Sequence, residues 1–174
     1  MERKLLLLGL LRSQDMHGYQ LHEAIDSHLG MGVRLTKPTA YRLLGNMAED
    51  GWVTFREEQE GNHPPRRVYA IAPQGEVAFQ RLLRENLANY QPADFTCHIG
   101  LAFLDELSAE EALPLLRTRR TGMEEFLEST RAHGEHPGSL QLMLEHQVHL
   151  LSAELEWVDT VIARLQDAQD ETSV

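Results

Sequence analysis

GNHPPRRVYAIAPQG, residues 61–75, is the stretch that decides the fold of this chain. Two adjacent prolines and two adjacent arginines come first, and the β-branched and aromatic residues of a short strand follow. The segment WVTFREEQE, residues 52–60, has the same strand-like composition. Two strands joined by a turn-rich segment predict a β-hairpin with NHPPRR, residues 62–67, at its tip.

Three helical segments precede the hairpin, and a fourth follows it at residues 73–90. The first, residues 2–13, is apolar on more than one face, which predicts a buried helix. The second spans residues 15–30, and the third has Thr36 as its N-cap and Pro38 in its first turn. Three helices followed by a hairpin form a winged helix-turn-helix. The predicted class is therefore mostly α (α+β), with an all-helical C-terminal domain after the winged domain.

The charge of the chain is unevenly distributed. The formal net charge is −11, yet residues 1–90 carry 11 Lys and Arg against 11 Asp and Glu. Residues 91–174 carry 5 Lys and Arg against 16 Asp and Glu. The first half can therefore present a local positive face, and the asymmetry predicts two domains, 1–90 and 91–174, with different roles.

A winged helix-turn-helix can bind duplex DNA, because its third helix fits the major groove and its hairpin lies along the neighbouring backbone. Prolines stiffen the hairpin tip and reduce the entropy lost on binding. Arginines there would bind phosphates or a narrow minor groove. The candidate DNA-binding residues are Lys37, Thr39, Tyr41 and Arg42 on the helix and His63, Arg66 and Arg67 on the wing.

Each of these assignments has an alternative. Lys37 and Arg42 could be ordinary solvent-exposed charges. Tyr41 could be a core residue, although a packed ring with its hydroxyl towards phosphate fits better. The stem of Arg67 could pack inward. The three glutamates among residues 57–60 are unfavourable beside DNA, so either they point away from it or binding is weak, which is the strongest argument in the sequence against DNA binding.

Three spaced motifs in this half resemble the PadR family of transcriptional regulators. They are MHGY at residues 16–19, TAYRLL at residues 39–44 and RRVYAIAPQG at residues 66–75. The resemblance implies a DNA-binding regulator, a repressor in the first instance, that recognises an inverted-repeat operator as a homodimer. The chain departs from the family pattern on the reading helix, at Pro38, Arg42 and Asn46. No operator can therefore be carried over from relatives.

The second half resembles the helical C-terminal region of the longer branch of that family. SAEE, residues 108–111, is a capping box, and a last helix begins near Ser139. Apolar residues along this helix recur at steps of four and three, a heptad seam that needs a helical partner. The seam consists of Leu144, Val148, Leu151, Leu155, Val158, Ile162 and Leu165. Together with the resemblance it predicts a homodimer interface; packing against helices of the same chain is the alternative.

Some members of the family sense small aromatic compounds, including phenolic acids, so the resemblance implies a small-molecule effector. Four aromatic residues could form the walls of such a pocket between the two halves: Tyr19, Phe95, Phe103 and Trp157. No motif marks this site.

Catalytic and metal sites are not expected. The nine histidines include the pair His146 and His149 on one helical face, but a pair without a third ligand at fixed spacing is weak evidence for metal. Cys97 and His98 cannot easily act as nucleophile and base, because neighbours on a helix point about 100° apart. We found no phosphate-binding loop and no serine elbow. The predictions are no enzyme, no catalytic residue and no cofactor.

The apolar run Leu5–Leu11 is far shorter than the ~20 residues of a membrane span. The single Cys97 cannot form an intramolecular disulfide and fits a reducing compartment. We therefore expect a soluble, cytoplasmic protein without a membrane partner. A second function stays open at this point, a winged-helix module that binds other proteins through its acidic half and does not bind DNA.

Overall fold

The computed structural model describes residues 1–28, 35–59, 66–90 and 98–172. It divides into two compact units, Met1–Ala93 and Asp94–Val174. The predicted wing residue His63 and the predicted effector residue Phe95 lie outside the described residues. No helix within the described ranges is long and apolar enough to cross a bilayer.

The first unit holds four helices and three strands within its described ranges. In chain order they are α1 Glu2–Ser13, β1 Met16–His17, α2 Gly18–His28, α3 Lys37–Glu49, β2 Val53–Glu58, β3 Arg66–Ile71 and α4 Pro73–Ala88. The core collects the apolar faces of these elements, and its fully buried side chains include Leu7, Leu8, Leu21, Leu44, Met47 and Val53. Burial of these side chains away from water is the main stabilising contribution to the unit.

The hairpin of β2 and β3 forms where the sequence predicts it. Val53 lies opposite Ile71, and the antiparallel register continues to Glu58 opposite Arg66. Because side chains alternate across a strand, Arg67 and Tyr69 share one face of β3.

The short strand β1 is a departure from the sequence-based expectation, which places a helix across residues 16–17. In the structure Met16 pairs with Tyr69, on the side of β3 opposite to β2, and α2 begins only at Gly18. The helix prediction for these two residues is wrong, because their backbone partners come from far along the chain and leave no local pattern.

Helix α3 begins where the sequence predicts it. Thr36 occupies the N-cap position and Pro38 the first turn. The Thr36 hydroxyl donates to Thr39 Oγ1 at 3.1 Å instead of capping a backbone group. Gly51 follows the helix with a φ of 72°, a left-handed conformation that glycine adopts without strain.

The second unit is helical throughout its described residues. It contains α5 His98–Ala102, a short 3₁₀ turn Leu104–Glu106, α6 Ala109–Arg131 and α7 Ser139–Thr172. The predicted capping box is present: Glu111 N–H donates to Ser108 Oγ at 3.3 Å, and Ser108 N–H donates to Glu111 Oε2 at 3.0 Å. Two ion pairs join α6 to α7, Arg119 with Glu154 and Arg120 with Asp159.

The C-terminal part of the heptad seam of α7 packs against the chain's own α6. Val158 and Ile162 form one apolar cluster with Leu113 and Leu116 of α6, and Val158 is 0% exposed. A side chain that is fully buried in the single chain cannot also contact a second chain. Val158 and Ile162 therefore pack within the chain, as the alternative to the dimer prediction has it, and the predicted dimer contact of the other seam residues stays a prediction.

Candidate nucleic-acid interface

Helix α3 presents one polar, cationic face to solvent. Ala40, Leu44 and Met47 are buried, whereas Lys37 and Arg42 are exposed. Thr39 is half-buried through its contact with the N-cap, so of the four helix residues predicted for DNA it is the least accessible.

Tyr41 lies across the first turn of α2, with about half of its side chain exposed. A Cβ added at Gly18 would lie 2.6 Å from Tyr41 Oη and 2.7 Å from Cζ. A real Cβ atom essentially never makes contacts this short, so any residue larger than glycine at position 18 would displace the Tyr41 ring. The ring is thus partly packed while the residue remains accessible, which agrees with the mixed role predicted for Tyr41.

A pocket of about 390 Å³ opens beside this ring. Three tyrosines and two arginines contribute to its lining: Tyr19, Tyr41, Tyr69, Arg66 and Arg67. His17 and two glycines complete it. The Nζ of Lys37 lies 5.2 Å from the centroid of the Tyr19 ring, a cation–π distance. The structure therefore brings predicted helix residues and predicted wing residues around one opening.

Arg67 has contacts of its own within the wing. Its guanidinium carbon is 4.3 Å from the Phe55 ring centroid, and its Nε is 3.6 Å from Glu57 Oε1. Phe55 in turn packs against Tyr69, with ring centroids 5.9 Å apart. The inward packing considered for Arg67 is therefore observed, and half of the side chain remains exposed.

The acidic residues of the described part of the wing are paired with arginines of the same unit. Arg56 donates to Asp15 Oδ2 at 2.6 Å and to Glu58 Oε1 at 2.8 Å. These hydrogen bonds, the one to Asp15 first, raise the pKa of Arg56 above its ordinary value. Glu57 is paired with Arg67, so the unfavourable charge of both glutamates beside DNA is compensated.

The predicted effector residues are not brought together within either unit. Tyr19 lines the pocket of the first unit, whereas Phe103 and Trp157 belong to the second unit and are 64% and 44% exposed. The second unit has a pocket of its own, about 520 Å³, where the end of α6 meets the start of α7. Leu144 and Val148 of the seam form part of its wall.

Sequence reasoning missed His17, Gly18 and Gly45 as parts of the first pocket. The available signal for the first two was the MHGY motif, which carries part of the family resemblance. Gly45 lies one helical turn after Tyr41, a spacing that places both residues on one face of α3. No group of three or more metal-ligating side chains occurs among the described residues.

Comparison with known proteins gives a consistent result. Residues 7–81 match the family described as the transcriptional regulator PadR-like family. The negative transcriptional regulator PadR of Bacillus subtilis (strain 168) is 25% identical over 118 residues, which are 66% of this chain and 63% of that protein. The match thus spans less than two thirds of the relative's length.

Solved structures resemble the chain over nearly its whole length. Bacillus subtilis PadR in complex with operator DNA has a TM-score of 0.79 at 18% identity and covers 95% of this chain and 99% of that one. The same protein in complex with p-coumaric acid has a TM-score of 0.74 at 19% identity, covering 94% and 98%. The Vibrio cholerae virulence activator AphA has a TM-score of 0.69 at 20% identity, covering 95% and 99%. These likenesses confirm the predicted fold, a winged helix-turn-helix followed by a helical region.

Proposed function

Because its first unit carries a PadR-like domain, we propose that this protein is a transcriptional regulator that binds duplex DNA through α3 and the β2–β3 hairpin. The observation that carries the proposal is the shared opening, where Tyr41 of α3 lies beside Arg66 and Arg67 of β3. The exposed cations can bind backbone phosphates, and the neighbouring helix can enter the major groove. A DNA-binding regulator must be in the same compartment as the DNA, and we propose the cytoplasm as that compartment.

A homodimer bound to an inverted repeat is the second part of the proposal. Two half-sites multiply the affinity of a single reading helix. Since α6 covers Val158 and Ile162 of the seam, we place the contact between copies on another face of α7. Met143, Leu150 and Trp157 recur there at steps of seven, and the last two are 53% and 44% exposed. Large apolar side chains at this spacing on an exposed helix favour a helical partner.

The direction of regulation rests on the relatives. The Bacillus relative is named a negative regulator, and one of its structures contains p-coumaric acid. By analogy this chain is a repressor that a small aromatic acid releases from DNA. Of the four predicted effector residues, we retain Phe95 and Phe103 as candidates for effector binding. We assign Tyr19 to the DNA-binding face and Trp157 to the dimer contact. Titration of the DNA complex with p-coumaric acid tests this part, and duplex that stays bound at saturating acid would refute it.

The DNA-binding proposal is tested by selecting duplexes from a random pool with the full chain and measuring their affinity by fluorescence anisotropy. An enriched inverted repeat with nanomolar to micromolar affinity is expected. A chain that enriches no duplex would favour the rival function, a protein-binding module that acts through the acidic residues 91–174. Affinity capture with the isolated chain would then be the appropriate next measurement.

A further inference from the structure

The pocket of the second unit lies at the turn between α6 and α7, and none of the residues proposed to bind DNA lines it. Its volume of about 520 Å³ lies within the range of small-molecule sites. The last turn of α6 and the first turns of α7 supply its walls, and the turn between the two helices adds Gly134 and Glu135. One helical hairpin therefore builds the whole pocket.

One wall of the pocket is apolar. Leu144 is buried, with 6% of its surface exposed, and Val148 is half-buried. Both belong to the heptad seam of α7, which packs against α6 at Val158 and Ile162 but lines the pocket here. This wall favours a ligand with an apolar group, since contact between the two removes both apolar surfaces from water.

Gln141 fixes part of the rim. Its Oε1 accepts a hydrogen bond from the backbone N–H of His136 at 3.0 Å, and its Nε2 donates to Glu145 Oε1 at 2.9 Å. The amide oxygen and one amide N–H are therefore used within the hairpin. These two hydrogen bonds hold the turn against the start of α7, so the rim has a defined shape before any ligand binds.

Three other polar side chains of the rim have no such contacts. Arg131, Glu135 and His149 form no side-chain hydrogen bond or ion pair with another described residue. Arg131 and Glu135 are four residues apart, a spacing that allows an ion pair within a helix. They do not pair because α6 ends at Arg131, and Gly134, with a φ of 72°, turns the chain before Glu135. A guanidinium and a carboxylate thus line one pocket without neutralising each other.

These opposite charges determine which ligand the rim fits. A simple carboxylic acid would be repelled by Glu135 and Glu145, and a simple amine would be repelled by Arg131. A ligand that carries both groups can pair its carboxylate with Arg131 and its ammonium group with Glu135. We propose that the pocket binds a free α-amino acid whose apolar side chain packs against Leu144 and Val148. This site goes beyond the proposed function, and a chain that binds no duplex would leave it intact.

Calorimetric titration of the full chain with L-leucine and L-phenylalanine tests the inference. The matched probes are 2-phenylethylamine, which lacks the carboxylate, and 3-phenylpropanoate, which lacks the amine. L-Phenylalanine should bind about tenfold more tightly than either analogue, because each analogue loses one charge-assisted pair. An analogue that binds as tightly as L-phenylalanine would overturn the proposal. So would a chain that binds neither amino acid, which is the result expected if a second copy covers the pocket.

Two variants assign the two charges. Arg131→Gln should weaken binding of L-phenylalanine by about tenfold and abolish the preference for it over 2-phenylethylamine. Glu135→Gln should weaken it similarly and abolish the preference over 3-phenylpropanoate. The controls Arg117→Gln and Glu125→Gln change exposed residues of α6 outside the pocket and should bind like the wild type. Preferences that persist in both rim variants would place the binding site elsewhere and refute the assignment.

Methyl resonances locate the bound amino acid. In a sample with labelled methyl groups, the signals of Leu144 and Val148 should shift when L-phenylalanine is added. The signals of Val53, in the core of the first unit, should stay in place. Thermal melts followed by circular dichroism should show that all four variants fold. Shifts confined to the first unit would contradict the inference even if the amino acid binds.

Discussion

At the scale of the residue, the side chains proposed to bind DNA differ in how many contacts they make within the fold. Arg42 is exposed, and the described part of the chain shows no ion pair for it. Arg67, by contrast, stacks on Phe55 and pairs with Glu57. A substitution at Arg42 should therefore report on DNA alone, whereas one at Arg67 should report on both DNA and stability.

Arg42→Ala should weaken binding evenly across sequences, by roughly threefold to tenfold. The reason is its place a full turn past the start of α3, where the neighbouring wing limits how deep the helix can sit and a phosphate is the nearer partner. A binding-site selection with both proteins should recover the same motif. A relaxed preference at one base pair per half-site would instead show that Arg42 reads a guanine.

Single substitutions of the two wing arginines should have different effects, Arg66 on DNA binding alone and Arg67 on both DNA binding and stability. Arg66→Ala should reduce the log–log salt slope by about 0.9 for each phosphate that the variant no longer binds. Arg67→Ala should in addition lower the free energy of unfolding by about 0.5–1 kcal/mol, because it removes the stacking on Phe55. Urea titration of both variants checks this, and equal unfolding midpoints would contradict the structural role of Arg67.

At the scale of the element, helix boundaries follow from local chemistry and strand and helix partners do not. The bounds of α1 and α3 and the start of α7 near Ser139 agree with the sequence, because caps, prolines and glycines act within a few residues. The β1 strand was not predicted, and for the α7 seam the sequence left two partners open, a second copy and a helix of the same chain. Both depend on which distant segment of the chain packs against the element. A periodic apolar pattern predicts that a helix has a partner, but it does not identify that partner.

The capping box of α6 gives a prediction with a defined pH dependence. Ser108→Ala should lower the free energy of unfolding by about 1 kcal/mol at neutral pH. Ser129→Ala, also on α6 but away from its start, should cost little and is the matched control.

The hydrogen bonds that Ser108 donates hold the pKa of Glu111 below its ordinary value. A depressed carboxyl pKa stabilises the fold at neutral pH, and this contribution is lost as the pH falls through the folded-state pKa. The deficit of Ser108→Ala should accordingly shrink in acid. A deficit that is the same at pH 7 and in strong acid would contradict the role of the carboxylate.

The exposed stripe of α7 can be separated from its buried seam. Leu150→Asp combined with Trp157→Asp should raise the dimer dissociation constant at least about tenfold and leave the helical content unchanged. Val158→Asp should instead unfold the second unit, because it places a charge in the α6–α7 cluster. Leu87→Asp, at an exposed site of the first unit, is the control. Light scattering with circular dichroism measures both properties, and an intact dimer in the double variant would exclude this face.

At the scale of the whole molecule, the two halves of the sequence differ in charge, the first neutral overall and the second acidic. Residues 1–90 balance 11 positive against 11 negative charges, and the full excess of −11 lies beyond them. The fold class could be predicted from the sequence, because helix capping and the order of the motifs can be seen along the chain, and the choice of α3 and the wing as DNA-binding elements stays a prediction. The pocket built from Gly18, Tyr41 and Arg66 could not, because it exists only where three separate segments meet.

The measurement that tests the central claim most directly is the affinity of the full chain for its selected duplex as a function of salt concentration. If each subunit of a dimer binds three phosphates, log affinity should fall against log salt with a slope of about −5, and random duplex should show a similar slope at lower affinity. Duplex binding that is absent, or that does not change between about 50 and 200 mM salt, would contradict the account.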